Sequence, residues 1–381
     1  MRDLWRVSRL GDVCSYEKEQ DIHRGLPYVG LENIESDTGR FLGAMNAVSV
    51  KSTTFHFTPE HVLYGRLRPY LNKVLLPHFE GHCSTEVFPI RPGPAISREF
   101  LFHWLSMDAT MNSIDATCTG ARMPRANMNA VLEFELPIPP LAEQRRIVAI
   151  LDEAFEAIAT AKANTEKNLQ NATEVFDGFM QSMFAERGSG WTERTLEEVC
   201  EISSKLVDPR EPAYLDLPHV GAGNIESKTG TVVDVKTARD EQPISGKFLF
   251  DETAVLYSKI RPYLMKVARP SFSGLCSADI YPLVPKSVVD RDYLYYLLLT
   301  ASFTDYAIKG SARAGMPKVN RDLLFAYRAW IPPIQEQAKH AARLDDVVDE
   351  TKRFAEVCDS KLAALDELKK SLLRQAFSDA L

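Results

Sequence analysis

Two stretches of the chain, each about 45 residues long, carry hydrophobic residues at the spacing of a long amphipathic helix. Each follows a Pro-Pro pair, at 139–140 and 332–333, and then contains no proline and almost no glycine. In the first stretch an alternating three-four spacing joins Val148, Leu151, Phe155, Ile158, Lys162, Thr165, Leu169, Ala172, Phe176, Phe179 and Met183. In the second stretch the equivalent positions, with more small residues, are Leu344, Val348, Thr351, Ala355, Cys358, Leu362, Leu365 and Leu372. Such a narrow stripe predicts two helices with a coiled-coil seam.

The remaining sequence is a tandem duplication with a period of about 190 residues. PYVGLENIESDTG, from Pro27, aligns with PHVGAGNIESKTG, from Pro218. VLYGRLRPYLNKV, from Val62, aligns with VLYSKIRPYLMKV, from Val255. Both copies combine short β-rich runs with turns such as SDTG and SKTG, which predicts two domains of mixed α and β structure.

The order of segments is domain, helix, domain, helix. We predict domains at residues 1–140 and 188–333, a long helix with its linker at 141–187, and a second long helix at 334–381. The five-residue linker Glu186–Gly190 cannot supply the long return that a parallel helix pair would need, so we predict an antiparallel pair. The expected fold is therefore α+β, with two pseudo-twofold-related domains separated by antiparallel coiled-coil helices.

Cations recur at matching positions of the repeat. If VLYGRLR is one continuous strand, Val62, Tyr64, Arg66 and Arg68 share a face, and the second copy places Tyr257, Lys259 and Arg261 on that face. The same aligned strings also contain Lys73 and Lys266, each one residue before the end. Cations beside a tyrosine can follow a phosphate backbone, although a solvated strand face explains the pattern equally well.

One loop near the end of each domain combines glycine, proline and cations. The two loops are TGARMPRAN, from Thr119, and SARAGMPKVN, from Ser311. Glycine lets a backbone approach a ligand closely, and Arg122, Arg125, Arg313 and Lys318 are residue types that reach phosphates or guanine edges. We favour nucleic-acid contact here over an ordinary polar turn.

The helix starts carry the strings PPLAEQ and PPIQEQ. Proline in the first turn followed by Glu143 or Glu336 suits a helix N-terminus, and helix initiation explains both strings fully. Partner docking is the alternative interpretation, and its candidate residues are Glu143, Gln144, Glu336 and Gln337.

Composition narrows the class of protein without deciding the ligand. The formal net charge of −7 is unusual for a nucleic-acid binder, but the acidic excess is proportionally greatest on the two helices. Six cysteines occur without a C-x-x-C pair, and no stretch is long enough to span a bilayer. We therefore expect a cytoplasmic protein with reduced, mostly buried thiols and no membrane partner.

No known catalytic or metal-binding motif is found in the sequence. A Gly-rich phosphate loop, G-x-S-x-G, H-E-x-x-H and an Asp/Asn-Pro-Pro-Tyr/Phe motif are all missing. His78, His82 and Cys83 are close in sequence, but no further ligand completes a metal site, and we interpret the two histidines as surface or internally bonded groups. A non-catalytic protein without a metal is expected.

The chain resembles the specificity subunits of type I restriction–modification systems over essentially its full length. The residues that carry the resemblance are the two P-P-[LI]-x-E-Q helix starts, the paired LRPYLNK and IRPYLMK strings, and the segment order. The resemblance implies that each domain recognises one half of a bipartite, asymmetric sequence in double-stranded DNA. It also implies two adenine methyltransferase subunits docked on the helices and a restriction and translocase subunit that can join them. S-adenosylmethionine, ATP and Mg²⁺ would then be bound by those partners, and this chain would hold no cofactor.

In this interpretation the helices act as a spacer between the half-sites. A helix from Leu141 to Phe184 is about 66 Å long, which corresponds to an upper bound of about 19 base pairs. One departure from symmetry is that Ile147 and Val148 are replaced by His340 and Ala341, so the two helices are not expected to dock partners equally. The alternatives are a DNA-recognition subunit of another methylation or defence system, a coiled-coil scaffold that binds protein, and an enzyme with an unfamiliar site.

Overall fold

The computed structural model describes residues 5–17, 19–46, 50–120, 122–202, 205–311 and 316–378. The chain forms two compact units. Unit 1 comprises Met1–Lys167 and Cys358–Leu381, and unit 2 comprises Asn168–Val357. Each unit therefore combines one of the mixed segments with parts of both long helices.

Unit 1 is built on small sheets packed against helices. Its strands are β1 Arg6–Arg9, β2 Cys14–Tyr16, β3 Gln20–Asp21, β4 Tyr28–Val29, β5 Thr54–Phe57, β6 Val62–Gly65, β7 Val74–Leu75, β8 Gly81–Cys83, β9 Val87–Pro92 and β10 Glu135–Ile138. Its helices are α1 Leu10–Val13, α2 Arg98–Leu105, α3 Asp108–Asp115, α4 Met128–Val131 and the first part of α5 Leu141–Ala185. Two four-stranded sheets, of order β2-β9-β6-β7 and β3-β5-β8-β4, and the pair β1-β10 surround one hydrophobic core.

Unit 2 repeats this architecture. Its strands are β11 Thr192–Thr195, β12 Cys200–Glu201, β13 Leu206–Val207, β14 Pro218–Val220, β15 Lys236–Thr237, β16 Lys247–Phe250, β17 Val255–Ser258, β18 Val267–Ala268, β19 Gly274–Cys276, β20 Ile280–Pro285 and β21 Arg328–Ile331. Its helices are α6 Leu196–Val199, α7 Ala238–Glu241, α8 Arg291–Leu297, α9 Ala301–Ser311, α10 Arg321–Phe325 and part of α11 Ile334–Phe377. The sheets β12-β20-β17-β18 and β13-β16-β19-β14-β15 correspond to the two larger sheets of unit 1.

The two long helices pack against each other within each unit. In unit 1 the Lys369 ammonium lies 5.2 Å from the Phe155 ring centre, and Lys162 forms an ion pair of 2.8 Å with Asp366. Residue numbers rise along α5 as they fall along α11, so the segments are antiparallel, as predicted. In unit 2 Arg343 of α11 lies over the Phe179 ring of α5. Every residue of the predicted stripes is buried or half-buried, which confirms the seam.

A buried glutamine near the start of each long helix links that helix to its domain. Gln144 is fully buried, and its amide donates to the carbonyl oxygens of Ala95 and Pro139 at 2.9 and 2.8 Å. Its side-chain oxygen accepts the Ser97 N–H at 2.8 Å. Gln337 of unit 2 is equally buried.

Gln337 makes the same three bonds, to the carbonyl oxygens of Val288 and Pro332 and to the N–H of Asp290. The prediction that Gln144 and Gln337 contact a partner is therefore corrected, because both side chains are occupied inside the protein. Glu143 and Glu336 remain half-buried, and their contact with a partner stays a prediction.

The predicted continuous strand through VLYGRLR is wrong. Strand β6 ends at Gly65, and its four residues are all buried, so Tyr64 does not share an exposed face with the arginines. Arg68 instead has a left-handed backbone, with φ of 53°. The chain therefore turns at this point, and the arginines are presented by a turn.

Two further expectations concern the thiols and the membrane. The six cysteines are unpaired, and all but the half-buried Cys118 are buried. Among the described residues, no helix is long and apolar enough to cross a membrane.

Candidate nucleic-acid interface

A tight turn after strand β6 exposes Arg68 and Tyr70. The segment Pro69–Leu71 forms one 3₁₀ turn, flanked by Arg68 and Asn72, both in the left-handed region with φ of 53° and 45°. The N–H of Arg68 donates to the carbonyl oxygen of Pro124 at 2.8 Å, which holds the turn against the loop from Thr119. Non-glycine residues adopt this backbone at a cost and concentrate at functional sites. The turn therefore holds the exposed side chains of Arg68 and Tyr70 in fixed positions.

One carboxylate forms ion pairs with two of the predicted cations beside this turn. Glu86, in the connection from β8 to β9, accepts from Arg66 at 3.2 Å and from Arg125 at 2.8 Å. Partial burial alone would raise the pKa of the Glu86 carboxyl, but hydrogen bonds from the two guanidinium groups outweigh it and lower the pKa. Glu86 is therefore ionised at neutral pH and orients both arginines.

Unit 2 contains the same arrangement with different side chains. Arg261 and Met265 flank the 3₁₀ turn Pro262–Leu264, again with left-handed φ of 49° each. The N–H of Arg261 donates to the carbonyl oxygen of Pro317 at 3.0 Å. The side chains of Arg261 and Tyr263 are exposed.

Asp279 of unit 2 takes the place of Glu86. Its carboxylate lies 3.4 Å from the Lys318 ammonium and 3.9 Å from that of Lys259. Burial lowers the pKa of Lys259, and the nearby charge of Lys318 acts in the same direction. Each unit thus places two cations around one anion beside an exposed arginine.

The other sequence candidates occupy different environments. Lys73 donates to the carbonyl oxygen of Leu31 at 2.7 Å, and Lys266 donates to that of Ala222 at 2.6 Å. Each ammonium group therefore stabilises a loop of its own unit. These contacts with the backbone were not predicted from the sequence. Arg122 is exposed, and Arg313 lies outside the described residues.

The candidate interface also contains residues that were not predicted from the sequence. Glu86 and Asp279 occupy equivalent places in the aligned strings HCSTEVFPI and LCSADIYPL, so a charge retained in both copies was the available signal. Exposed apolar side chains recur as well: Met123 in unit 1 and Met316 in unit 2 are 47% and 56% exposed. Each methionine lies in the loop that is hydrogen-bonded to the 3₁₀ turn of its unit.

Comparison with known proteins decides the family. The model of the type I restriction modification DNA specificity domain matches twice, at residues 2–171 and 188–357. The chain belongs to this family. It is a specificity subunit of a type I restriction–modification system, and the family consists of non-catalytic DNA-recognition components.

Named relatives and solved structures agree with the family. The chain is 28% identical to the type I restriction enzyme EcoDI specificity subunit of Escherichia coli, over 74% of this chain and 70% of that protein. It is 21% identical to the MjaVIII specificity subunit of Methanocaldococcus jannaschii, over 90% and 86% of the two chains.

Two solved structures share the fold. A chain from a study of complex assembly and conformational transition in a type I system has a TM-score of 0.83 at 21% identity, covering 99% of this chain and 98% of that chain. The HsdS subunit from Thermoanaerobacter tengcongensis has a TM-score of 0.67 at 22% identity, covering 99% and 97%. The predicted arrangement of the elements within each unit is therefore a known one.

No group of side chains in the described part of this specificity subunit could hold a metal ion. His78 is exposed, and His82 is buried with its Nδ1 at 3.1 Å from the Thr54 hydroxyl. Both histidines match the environments expected from the sequence.

Proposed function

We propose that each unit contacts double-stranded DNA through its 3₁₀ turn and the loop bonded to it, and recognises one half of a bipartite target. The observation that carries the proposal is the repeated geometry: an exposed arginine on a left-handed backbone, beside two cations around one carboxylate, in both units. Features common to both units position the protein on any duplex, whereas residues that differ between the units select bases.

We further propose that the chemistry belongs to partner subunits. Two adenine methyltransferase subunits bind along the long helices, and a restriction and translocase subunit joins them. S-adenosylmethionine, ATP and Mg²⁺ are cofactors of those partners, and this chain binds none of them. The proposal is supported by the family and by the lack of any catalytic motif in the sequence.

Substitution of the exposed arginines tests the DNA surface. We expect Arg68→Ala or Arg261→Ala to weaken binding to all duplexes alike and to reduce the slope of log affinity against log salt by about one, because each change removes one phosphate contact. Binding is measured from about 50 to 200 mM salt with duplexes of the methylated motif and of scrambled sequence.

The matched control is Arg187→Ala, which changes an arginine that lies over the Trp330 ring and outside the turn. Unchanged affinity and an unchanged salt dependence in both arginine variants would contradict the proposed contact with DNA. Arg125→Ala and Lys318→Ala extend the test, since they lie on different units and should each affect one half-site.

We also propose that the long helices set the spacing between the half-sites. Helix α5 has 45 residues and α11 has 44. Insertion of seven residues at matched positions in both helices preserves the seam and adds about 10 Å, close to three base pairs. We expect the methylated motif, read by modification-sensitive sequencing, to keep both half-sites and gain a few base pairs of spacer. An active variant with an unchanged spacer would assign the spacing to another element.

A further inference from the structure

Unit 1 carries a row of aromatic side chains across the sheet β3-β5-β8-β4. Tyr28 pairs with His82, and His82 pairs with His56 on the next strand, so the three side chains share one face. The ring of His23 lies above the row, 5.7 Å from His56 and 5.8 Å from His82. His82 is buried, while His23 and His56 are half-exposed.

The hydroxyl of Thr54 connects the imidazole of His23 to its neighbours. Its Nδ1 lies 2.9 Å from the Thr54 hydroxyl oxygen, and that hydroxyl lies 3.3 Å from the carbonyl oxygen of Asp21. The same hydroxyl also lies 3.1 Å from the Nδ1 of His82. When the single hydroxyl proton goes to the carbonyl oxygen of Asp21, which only accepts, Thr54 accepts from both imidazoles and the proton of His23 is on Nδ1. The Nε2 of neutral His23 is left as an acceptor, and it bonds to no described residue.

The ring of His56 is also bonded through one nitrogen, in this case Nε2. Its Nε2 lies 2.9 Å from the carboxylate of Glu80, which accepts, so Nε2 carries the proton. The Nδ1 of neutral His56 is therefore also an acceptor, with no bond to any described residue. Each of the two half-exposed imidazole rings is held in place by a hydrogen bond at one nitrogen, and its other nitrogen remains available as an acceptor. Because the rings are already oriented, less conformational entropy is lost when a hydrogen-bond donor binds.

The equivalent row of unit 2 has different chemistry. By strand pairing its members are His219, Leu275 and Leu249. The Nδ1 of His219 bonds to Glu241 at 2.5 Å and its Nε2 is buried, and the leucines offer no hydrogen bonds. The two rows therefore differ between the units.

The rows lie close to features that both units share. Strand β8 ends at Cys83, three residues before Glu86, and β19 ends at Cys276, three residues before Asp279. The N–H of Ser84, within the first of these connections, donates to the carbonyl oxygen of Val29 at 2.9 Å, next to Tyr28. The Tyr28 end of the row is thus bonded, through Val29 and Ser84, to the connection that carries Glu86.

We propose that His23 and His56 recognise base edges in the half-site of unit 1, by accepting hydrogen bonds from exocyclic amino groups in the major groove. Those donors are N6 of adenine and N4 of cytosine, the amino groups that bases present there. The proposal rests on the DNA contact proposed above and specifies which residues of unit 1 select the sequence.

Base analogues that lack the amino group test the proposal. The motif is first read from host DNA by modification-sensitive sequencing, and duplexes are then made with each adenine replaced by purine or each cytosine by 2-pyrimidinone. The full chain is assayed together with a methyltransferase subunit. We expect one or two replacements, all within one half-site, to weaken binding of the unaltered chain by about tenfold.

The variants His23→Phe and His56→Phe keep a ring but remove the acceptor. We expect each to bind the unmodified duplex about tenfold more weakly and to lose its sensitivity to one analogue position, as a double-mutant cycle requires for a direct contact. His78→Phe is the matched control, because His78 is exposed in the same unit and lies outside the row. Thermal unfolding of each variant separates a loss of fold from a loss of contact.

The outcomes distinguish this inference from the proposal beneath it. If Arg68→Ala weakens binding to all duplexes while both phenylalanine variants retain full analogue sensitivity, the histidines do not read bases and the inference is overturned. If the unaltered chain binds no duplex in preference to another, both proposals fail. Loss of sensitivity in the variants, with His78→Phe unaffected, supports the inference.

Discussion

Replacing Gln337 with alanine will lower the free energy of unfolding of unit 2 by about 3 to 5 kcal/mol. The side chain is fully buried and bonds to two backbone carbonyl oxygens and one backbone N–H. Truncation leaves those backbone groups unpaired and also creates a cavity, and each effect is costly inside a protein. Hydrogen exchange of unit 2 amides against urea measures the loss.

The sequence supplies a control two residues away. Gln335 is exposed on the same helical turn, so Gln335→Ala should change stability by less than about 0.5 kcal/mol. Gln144→Ala should reproduce the Gln337→Ala effect in unit 1. A loss below about 1 kcal/mol for Gln337→Ala would mean that the surrounding backbone finds other partners.

Replacing Asp345 with alanine will destabilise unit 2 by about 2 to 3 kcal/mol. Asp345 of α11 accepts from Arg269 and, at 2.6 Å, from the hydroxyl of Tyr296 on α8. Burial alone would lower the pKa of Arg269, but the hydrogen bonds that it donates to Asp345 and Asp292 reverse this and raise the pKa. Removing one carboxylate leaves a half-buried guanidinium with a single anionic partner, Asp292, at 2.9 Å.

Solvent moderates this effect, because the Asp345 side chain is 37% exposed. Asp345→Asn keeps an acceptor for Tyr296 and should cost less than Asp345→Ala. The exposed neighbour Asp346 provides the control variant Asp346→Ala. Urea unfolding followed by tryptophan fluorescence measures all three, and equal stability of the two alanine variants would rule out an anchoring role for Asp345.

The sequence predicts the long helices well because their spacing is a local property. The start at Leu141 and the buried positions of Leu151, Thr165 and Leu344 follow directly from the three-four pattern. The alternating hydrophobic and polar pattern of VLYGRLR gave a wrong prediction, also for a physical reason. A residue before proline normally stays extended, but Arg68 adopts a left-handed backbone that a hydrogen bond from its N–H to Pro124 stabilises.

The site was only partly predictable because its contacts join distant parts of the chain. Lys73 was grouped with the other cations, yet the carbonyl oxygen of Leu31 takes up its ammonium group. Gln144 is a polar residue on a helix start, and only the fold reveals three bonds to buried backbone. Arg66 and Arg125 were predicted separately, one on a strand and one in a loop, and Glu86, which joins them, is visible only through the repeat.

The division of the chain also affects the order in which the protein can fold during synthesis. Unit 2 is one continuous segment, 168–357, whereas unit 1 needs residues from both sides of it. Leu373, Ala376 and Phe377 of α11 belong to the unit 1 core, and the Phe377 ring lies 4.8 Å from that of Phe100. On the ribosome, residues 1–167 therefore cannot complete unit 1 until residues 358–381 have been synthesised. A nascent chain stopped after Val357 contains all of unit 2 and exposes the apolar surface of unit 1 to chaperones and proteases.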